Sequence, residues 1–189
     1  MKTPSWTPTP EVKEWIRAKF SYEPNTGLIR DQAGNEVGFR KVRGYTAVSL
    51  HSRSLGLNKQ VTAHRLAWFL HHGEWPELDI DHINHDGFDN RIENLRLATI
   101  PQNRQNNSKK RANNRGMPCS SKYKGVYRKA NRWVAQIRQN TTVTYLGCFE
   151  TEEEAAEAYR KASAALFGEY AYQVQDSVAS ACASTGVSF

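Results

Sequence analysis

The residues best suited to chemistry lie in one polar stretch of the chain. Asp81 and His82 are adjacent, Asn94 follows His82 by twelve residues, and Asn103 comes nine residues later. Hydrolysis of a phosphodiester needs a base that activates water and a hard cation that stabilises charge on phosphate. His82 can be the base, because an unperturbed imidazole is largely neutral near pH 7. Asp81 and Asn103 offer the oxygen ligands that Mg²⁺ prefers, and Asn94 can fix the geometry around the histidine.

This stretch resembles the HNH endonucleases found in phages and introns. The spacing of the four positions agrees with that family, and Asp-Asn-Arg-Ile-Glu-Asn-Leu-Arg at 89–96 is close to its usual motif. The resemblance implies a ββα-metal fold: a strand with Asp81 and His82, a second strand, then a helix with Asn103. It also implies that Asp81 and Asn103 bind the metal and that His82 is the general base. Asn94 is the middle residue of the motif, and we expect one Mg²⁺ per active site, with Mn²⁺ as the alternative.

Other readings of these residues stay open. The stretch could be a surface hairpin whose Asn and Asp residues only make turns. Neighbours in a regular strand point to opposite faces, so Asp81 and His82 share a site only if the backbone twists or bulges. We interpret His64 as a packed histidine rather than a helper of the site, and His85 as a loop residue rather than a metal ligand.

The charge of the chain favours a polyanionic partner. The 189 residues carry a formal charge of +7, and the sequence pI is about 9.4. Between Asn94 and Phe149 there are twelve Lys or Arg and no Asp or Glu, with aromatic residues interleaved among the charges. Such a run is suited to a phosphate backbone. The resemblance to HNH endonucleases then implies double-stranded DNA as the partner, bound by a monomer, with no membrane or small-molecule substrate.

The cysteines indicate a reducing compartment. Cys119, Cys148 and Cys182 are odd in number and far apart in the sequence. Neither a disulfide framework nor a zinc site of the Cys-x-x-Cys type is indicated. We expect a cytoplasmic protein, in the host cytoplasm if a phage encodes it, because no apolar run has the length of a membrane span.

Periodicity and turn residues predict the elements that position the site. Helices are predicted over about 10–20 and 63–70, strands at 28–30 and 45–50, and a capping box of Thr99 and Gln102 starts a helix at Ile100. The expected domains are a DNA-contacting region at 1–61, the nuclease module at 62–110, a basic linker at 111–121, a DNA-binding domain at 122–172 and a tail at 173–189. The fold class is α+β.

The C-terminal segment follows a pattern of three strands and a helix. Strands are predicted at 123–128, 132–138 and 143–149, followed by a helix from the capping box at 151–154 to about Phe167. Tyr-Lys-Gly-Val at 123–126 and Trp-Val-Ala-Gln-Ile-Arg at 133–138 resemble the AP-two domain of plant ethylene-response factors, which is also appended to phage HNH nucleases. The resemblance implies DNA contacts from one set of residues: Arg128, Arg132, Trp133, Gln136, Arg138 and Tyr145. Core packing is the alternative for Trp133.

The sequence therefore predicts a metal-dependent, site-specific DNA endonuclease that nicks or homes. One alternative is a DNA-binding regulator with an inactive nuclease hairpin. The other is a nuclease for RNA or for a nucleic-acid structure, because backbone electrostatics alone do not separate these substrates.

Overall fold

A computed structural model of the chain describes residues 6–38, 40–42, 44–106 and 119–171, with backbone alone at 40–42. The chain divides into two compact units, Met1–Arg104 and Gln105–Phe189. In chain order the elements are α1 (Pro10–Lys19), β1 (Phe20–Glu23), β2 (Leu28–Asp31), β3 (Glu36–Val37), β4 (Arg40–Val42), β5 (Tyr45–Ser52), β6 (Leu57–Thr62), α2 (Ala63–His72), β7 (Asp79–His82), β8 (Leu95–Ala98), α3 (Ile100–Asn106), β9 (Val126–Lys129), β10 (Arg132–Gln139), β11 (Thr142–Phe149) and α4 (Glu152–Phe167).

The first unit is built from small antiparallel sheets around two helices. One sheet has the order β1-β2-β3, a second the order β4-β5-β6, and β7 pairs with β8 in a hairpin. A single apolar core runs through this unit, with Ile16 of α1, Leu50 of β5 and Phe69 of α2 at its centre and Leu95 of β8 at its edge. Residues 1–61 thus share a core with the predicted nuclease module, so the division at residue 62 stays a prediction about function.

Local sequence explains where the helices of this unit begin and end. Pro10 occupies the first helical position of α1 and Glu11 its first turn, which suits the free N–H groups and the helix dipole. Gly73 ends α2 in the left-handed conformation. The Thr99 hydroxyl accepts from the N–H of Gln102, whose side chain accepts from the N–H of Thr99. The predicted capping box is confirmed, and α3 starts at Ile100.

The second unit is a sheet of order β11-β10-β9 with α4 packed against it. All three strands were predicted, each within three residues of its observed ends, and the capping box of Thr151 and Glu154 opens α4 as expected. Gly125 is required here, because a Cβ at this position would lie 2.1 Å from the ring of Tyr159. The predicted tail and most of the predicted linker lie outside the described residues. No helix in the described ranges is long and apolar enough to cross a membrane.

Candidate active site

A short antiparallel hairpin presents the two residues expected to carry the chemistry. In the β7–β8 register Asp81 faces Arg96 and His82 faces Leu95, with no shift between the two pairs. Asp81 and His82 are both 5 % exposed. No bulge interrupts this register, so only twist at the end of the strand can bring both side chains to one site. The two side chains therefore project to opposite faces of the hairpin, at the point where β7 ends.

Three side chains from different elements surround His82. The ring of Tyr45, at the start of β5, stacks on the imidazole with centroids 5.7 Å apart. His64, in the first turn of α2, meets the same imidazole edge-on at 5.1 Å. The Oδ1 of Asn90 lies 3.3 Å from His82 Nε2. Two rings and one amide thus restrict the orientation of the imidazole.

The contacts of Asn90 define which ring nitrogen of His82 holds the proton. Its Nδ2 donates to Thr46 Oγ1 at 3.2 Å and to the carbonyl of Phe88 at 3.4 Å, which orients its Oδ1 toward the histidine. The carbonyl of Asn90 also accepts from the Tyr22 hydroxyl at 2.8 Å, so the backbone here is anchored. An amide oxygen accepts hydrogen bonds, so this contact favours the His82 tautomer with its proton on Nε2 and its lone pair on Nδ1.

Asn94 acts on the loop of the hairpin rather than on the imidazole. Its Oδ1 accepts from the N–H of Asn84 at 2.9 Å, and its Nδ2 donates to the carbonyl of Asp89 at 2.8 Å. Its backbone carbonyl accepts from the N–H of Ile83. These bonds close the loop behind His82, so Asn94 fixes the geometry indirectly. The residue that touches the ring is Asn90, which the sequence reasoning missed although it stands in the quoted motif.

Asp81 forms a buried ion pair. Both Nε and Nη2 of Arg96 donate to its Oδ2, at 2.9 and 2.7 Å. The side chain of Arg96 is 13 % exposed and that of Asp81 is 6 % exposed. The sequence reasoning did not single out Arg96. Its position opposite Asp81 follows from the register of the hairpin, which the sequence motif does not specify.

The chemistry of the donor set fits a hard cation. Asp81 supplies a carboxylate, and its ion pair with Arg96 shows that this carboxylate can bind a positively charged group. Asn103 lies in the first turn of α3, half-buried, with its N–H donating to the carbonyl of Thr99. Within the described ranges there is no cluster of three or more His, Cys, Asp or Glu side chains suited to a metal. The binding of one ion by Asp81 and Asn103 stays a prediction.

Burial keeps the histidines of the site neutral. It lowers the pKa of His82 below its ordinary value, against smaller opposing effects of the Asn90 hydrogen bond and of nearby carboxylates. Burial, together with the charges of His82 and Arg65, lowers the pKa of His64 to about 3. His64 Nε2 bonds Thr62 Oγ1 at 2.9 Å, and its buried Nδ1 has no hydrogen-bond partner. His64 is thus hydrogen-bonded and packed, as expected, and it also contacts the ring of the candidate base.

The loop between the strands approaches the start of β5 closely. A Cβ at Gly87 would lie 2.2 Å from the carbonyl of Gly44 and 2.8 Å from the ring of Tyr45. The pKa of Asp89, also in this loop, is lowered to about 2, and the main cause is its hydrogen bonding with Arg91. The loop is therefore held to the sheet on one side and by its own ion pair on the other.

The register of the second unit divides the six predicted DNA contacts between two faces. Gln136 faces Tyr145 and Arg138 faces Val143, and these residues share a face of β10 with Arg132. Arg138, Arg132 and Tyr145 are exposed, Tyr145 by 63 %.

Arg128 and Trp133 belong to the other face. They pair with each other in the β9–β10 register, and the guanidinium of Arg128 lies 5.9 Å from the ring centroid of Trp133. Trp133 is partly buried and packs against the core beneath α4, and its contact with DNA stays a prediction. We call the face with Arg132, Gln136 and Arg138 the open face. Tyr127, which faces Val134, adds an aromatic ring to it and was not among the predicted DNA contacts.

Comparison with known proteins finds a family match over this hairpin and its flanking helices. Residues 61–105 match the family model of the HNH endonucleases, and the matched segment contains Asp81, His82, Asn94 and Asn103. The chain is 32 % identical over 133 residues to an uncharacterized HNH endonuclease, L560, of Acanthamoeba polyphaga mimivirus, covering 69 % of this chain and 66 % of that relative. A solved structure of the HNH homing endonuclease I-HmuI, described as showing DNA binding and cleavage, is 26 % identical over 43 % of this chain and 47 % of that one, with a TM-score of 0.35.

The matched segment defines the class of the first unit. Residues 61–105 therefore carry an HNH endonuclease domain, and the chain spans 66 % of the length of the viral relative that it matches. HNH nucleases are generally metal-dependent. A β-hairpin followed by a short helix occupies the positions predicted for that domain. Its equivalence to the ββα-metal arrangement stays a prediction.

Proposed function

We propose that this protein is a metal-dependent DNA endonuclease that cuts one strand of duplex DNA at a selected site. The observation that carries the proposal is a buried, neutral His82, held by Asn90 beside Asp81, inside a segment that matches the HNH endonucleases. The name of the mimivirus relative supports the same activity. The basic composition of the chain supports DNA as partner.

The reaction proposed is in-line attack of water on a phosphodiester. Nδ1 of His82 accepts the proton of the water while Asn90 retains the proton on Nε2. The new bond joins the water oxygen to phosphorus, and the bond to the 3′ oxygen breaks. Asp81 and Asn103 would hold a divalent ion, Mg²⁺ or Mn²⁺, which when bound stabilises charge on the phosphate and on the leaving oxygen. Because β7 ends at His82, a phosphate lying across that end can meet both the imidazole and the carboxylate.

The C-terminal unit is proposed as the sequence reader, of the AP-two type. Its sheet and helix follow the predicted order, and its open face presents Arg132, Gln136, Arg138 and Tyr145. Arg can pair two-pronged with guanine and Gln with adenine, so this set is suited to base edges in the major groove. Tethering the reader raises the local concentration of the nuclease at its target.

A plasmid-nicking assay tests the activity. Supercoiled plasmid incubated with the full chain and Mg²⁺ should convert to the open circle, and a chelator should abolish the conversion. Tight DNA binding without cleavage would favour the inactive regulator. The same assay with labelled RNA and duplex DNA in competition separates the substrates, because preferential RNA cleavage would contradict a DNA endonuclease.

We also propose the reducing host cytoplasm as the compartment, consistent with a free thiol at Cys148.

A further inference from the structure

Arg96 binds the carboxylate of Asp81, which the proposed function assigns as a metal ligand. Two of its N–H groups donate to one oxygen of Asp81, Oδ2, at 2.9 and 2.7 Å. The two residues are direct cross-strand partners, so the contact is imposed by the register of β7 and β8. A guanidinium does not lose its proton in proteins, so the positive charge is permanent.

Two cations compete for a single buried carboxylate. A divalent ion that binds Asp81 must share it with the guanidinium or displace it, and the two positive charges repel each other. This repulsion is large because Asp81 and Arg96 are only 6 % and 13 % exposed, so water screens little of it. The affinity of the metal site then depends on Arg96 as well as on the ligands.

A phosphate near the ion gives Arg96 a second partner. Any phosphate bound by a cation on Asp81 lies within reach of a guanidinium that contacts the same carboxylate. Guanidinium groups also bind phosphate oxygens, often two-pronged, so the N–H groups that Arg96 uses on Asp81 can donate to a phosphate instead. The displacement of Arg96 from Asp81 is therefore favourable when DNA is present and unfavourable when it is absent.

We propose that Arg96 is a positioning residue that holds Asp81 until metal and DNA arrive, and then donates to the phosphate that is cut. This inference rests on the proposed function. It makes metal binding weak in the free protein and strong in the DNA complex. A nuclease with this property is inactive toward metal-dependent side reactions until its substrate is bound.

The test measures Mn²⁺ affinity, in the absence of DNA, from the electron paramagnetic resonance signal of the unbound ion. It compares the full chain with Arg96→Gln, Arg96→Lys and Asp81→Asn. Removing the charge in Arg96→Gln should tighten Mn²⁺ binding about tenfold, while Arg96→Lys, which keeps the charge, should stay within about threefold of wild type. At saturating Mn²⁺ with plasmid, Arg96→Gln should nonetheless cleave about tenfold more slowly, because a phosphate donor is lost.

The outcomes separate this inference from the proposed function. Equal Mn²⁺ affinity of wild type and Arg96→Gln, or no binding by either, overturns the role of Arg96 while the nicking assay still decides the activity. Undiminished binding by Asp81→Asn shows instead that Asp81 is not a ligand, which contradicts the proposed function. If Arg96→Gln does not fold, the Nε resonance of Arg96 in ¹⁵N-labelled wild type replaces it. That resonance should move when Mg²⁺ and DNA are added together, and an unmoved resonance overturns the proposal.

Discussion

At the scale of single residues, Asn90 controls the orientation of His82. Its Nδ2 is committed to Thr46 and Phe88, so its oxygen is the atom that faces the imidazole. Removal of this acceptor removes the hydrogen bond that favours the Nε2–H form of the ring. A larger share of the histidine would then carry its proton on Nδ1, the nitrogen proposed to accept the proton of water.

We expect Asn90→Ala to lower single-turnover cleavage by about tenfold to a hundredfold, with DNA binding unchanged. The ¹⁵N spectrum of His82 should show the Nε2–H tautomer in wild type and a mixture of tautomers in the variant. Asn58→Ala, at an exposed position of β6, is the matched control and should leave both measurements unchanged. A wild-type spectrum dominated by the Nδ1–H tautomer would contradict the assignment.

His64 makes stability depend on pH. Its folded pKa of about 3 lies below its ordinary value of 6.5. Between these two values the unfolded chain binds the proton and the folded chain does not, so the free energy of unfolding falls as pH decreases. Stability from this group is complete above pH 6.5 and declines toward pH 3, by at most about 1.4 kcal/mol per pH unit.

Urea denaturation at a series of pH values measures this slope. His64→Gln removes the titrating group and should flatten the curve between pH 6.5 and pH 4.5, whatever its effect at pH 8. His51→Gln, at an exposed position, is the control and should leave the slope as in wild type. A slope that His64→Gln does not change would show that the pKa of His64 is not lowered on folding.

At the scale of elements, the hairpin loop depends on the small size of Gly87. A Cβ there would collide with the carbonyl of Gly44 and with the Tyr45 ring that stacks on His82. We expect Gly87→Ala to lower the free energy of unfolding by about 1–3 kcal/mol. Cleavage should fall further than stability explains, because Tyr45 must move.

Gly56→Ala is the comparison for this substitution. Nothing lies within 4 Å of a Cβ at Gly56, so only its left-handed backbone, with φ of 58°, is strained. Its cost should be about 1 kcal/mol, with cleavage unchanged. If thermal denaturation and nicking rates show the two variants to be equivalent, the close approach of the loop to β5 is not important for the site.

The sequence predicted elements better than contacts. Capping boxes and periodicity gave the starts of α3 and α4 correctly, because these signals are local. The short strands β1 and β6 were missed, since four to six residues carry little periodicity of their own. The contacts of His82 with Tyr45 and His64 join residues far apart in the chain, which no local pattern specifies. Asn94 stood at a motif position, yet only the folded loop shows that it acts through Asn84 and Asp89.

At the scale of the whole molecule, the two faces of the C-terminal sheet separate the residues proposed to read DNA from residues that support the fold. Arg138 lies on the open face beside Gln136 and Tyr145, while Arg128 covers the ring of Trp133. The two arginines have the same charge and both are exposed. Substitution of each arginine by alanine therefore gives a matched pair of variants that differ only in the face of the sheet that is changed.

We expect Arg138→Ala to weaken binding to the preferred site by about 1–3 kcal/mol and to relax its sequence preference. Arg128→Ala should weaken binding to all sequences by a smaller amount and should lower the melting temperature, because Trp133 loses its cover. Affinity selection from a random duplex library, followed by titration at fixed salt, gives both quantities. The reverse order of effects would show that the other face of the sheet contacts DNA.

The central claim is that His82 removes the proton from the attacking water, and its substitution is the most direct test. Single-turnover cleavage of supercoiled plasmid should fall by at least about a hundredfold in His82→Ala at saturating protein and Mg²⁺, while the DNA dissociation constant stays within about threefold of wild type. His85→Ala, in the same loop, should cleave at a rate close to wild type. A His82→Ala protein that nicks plasmid at the wild-type rate would contradict the account.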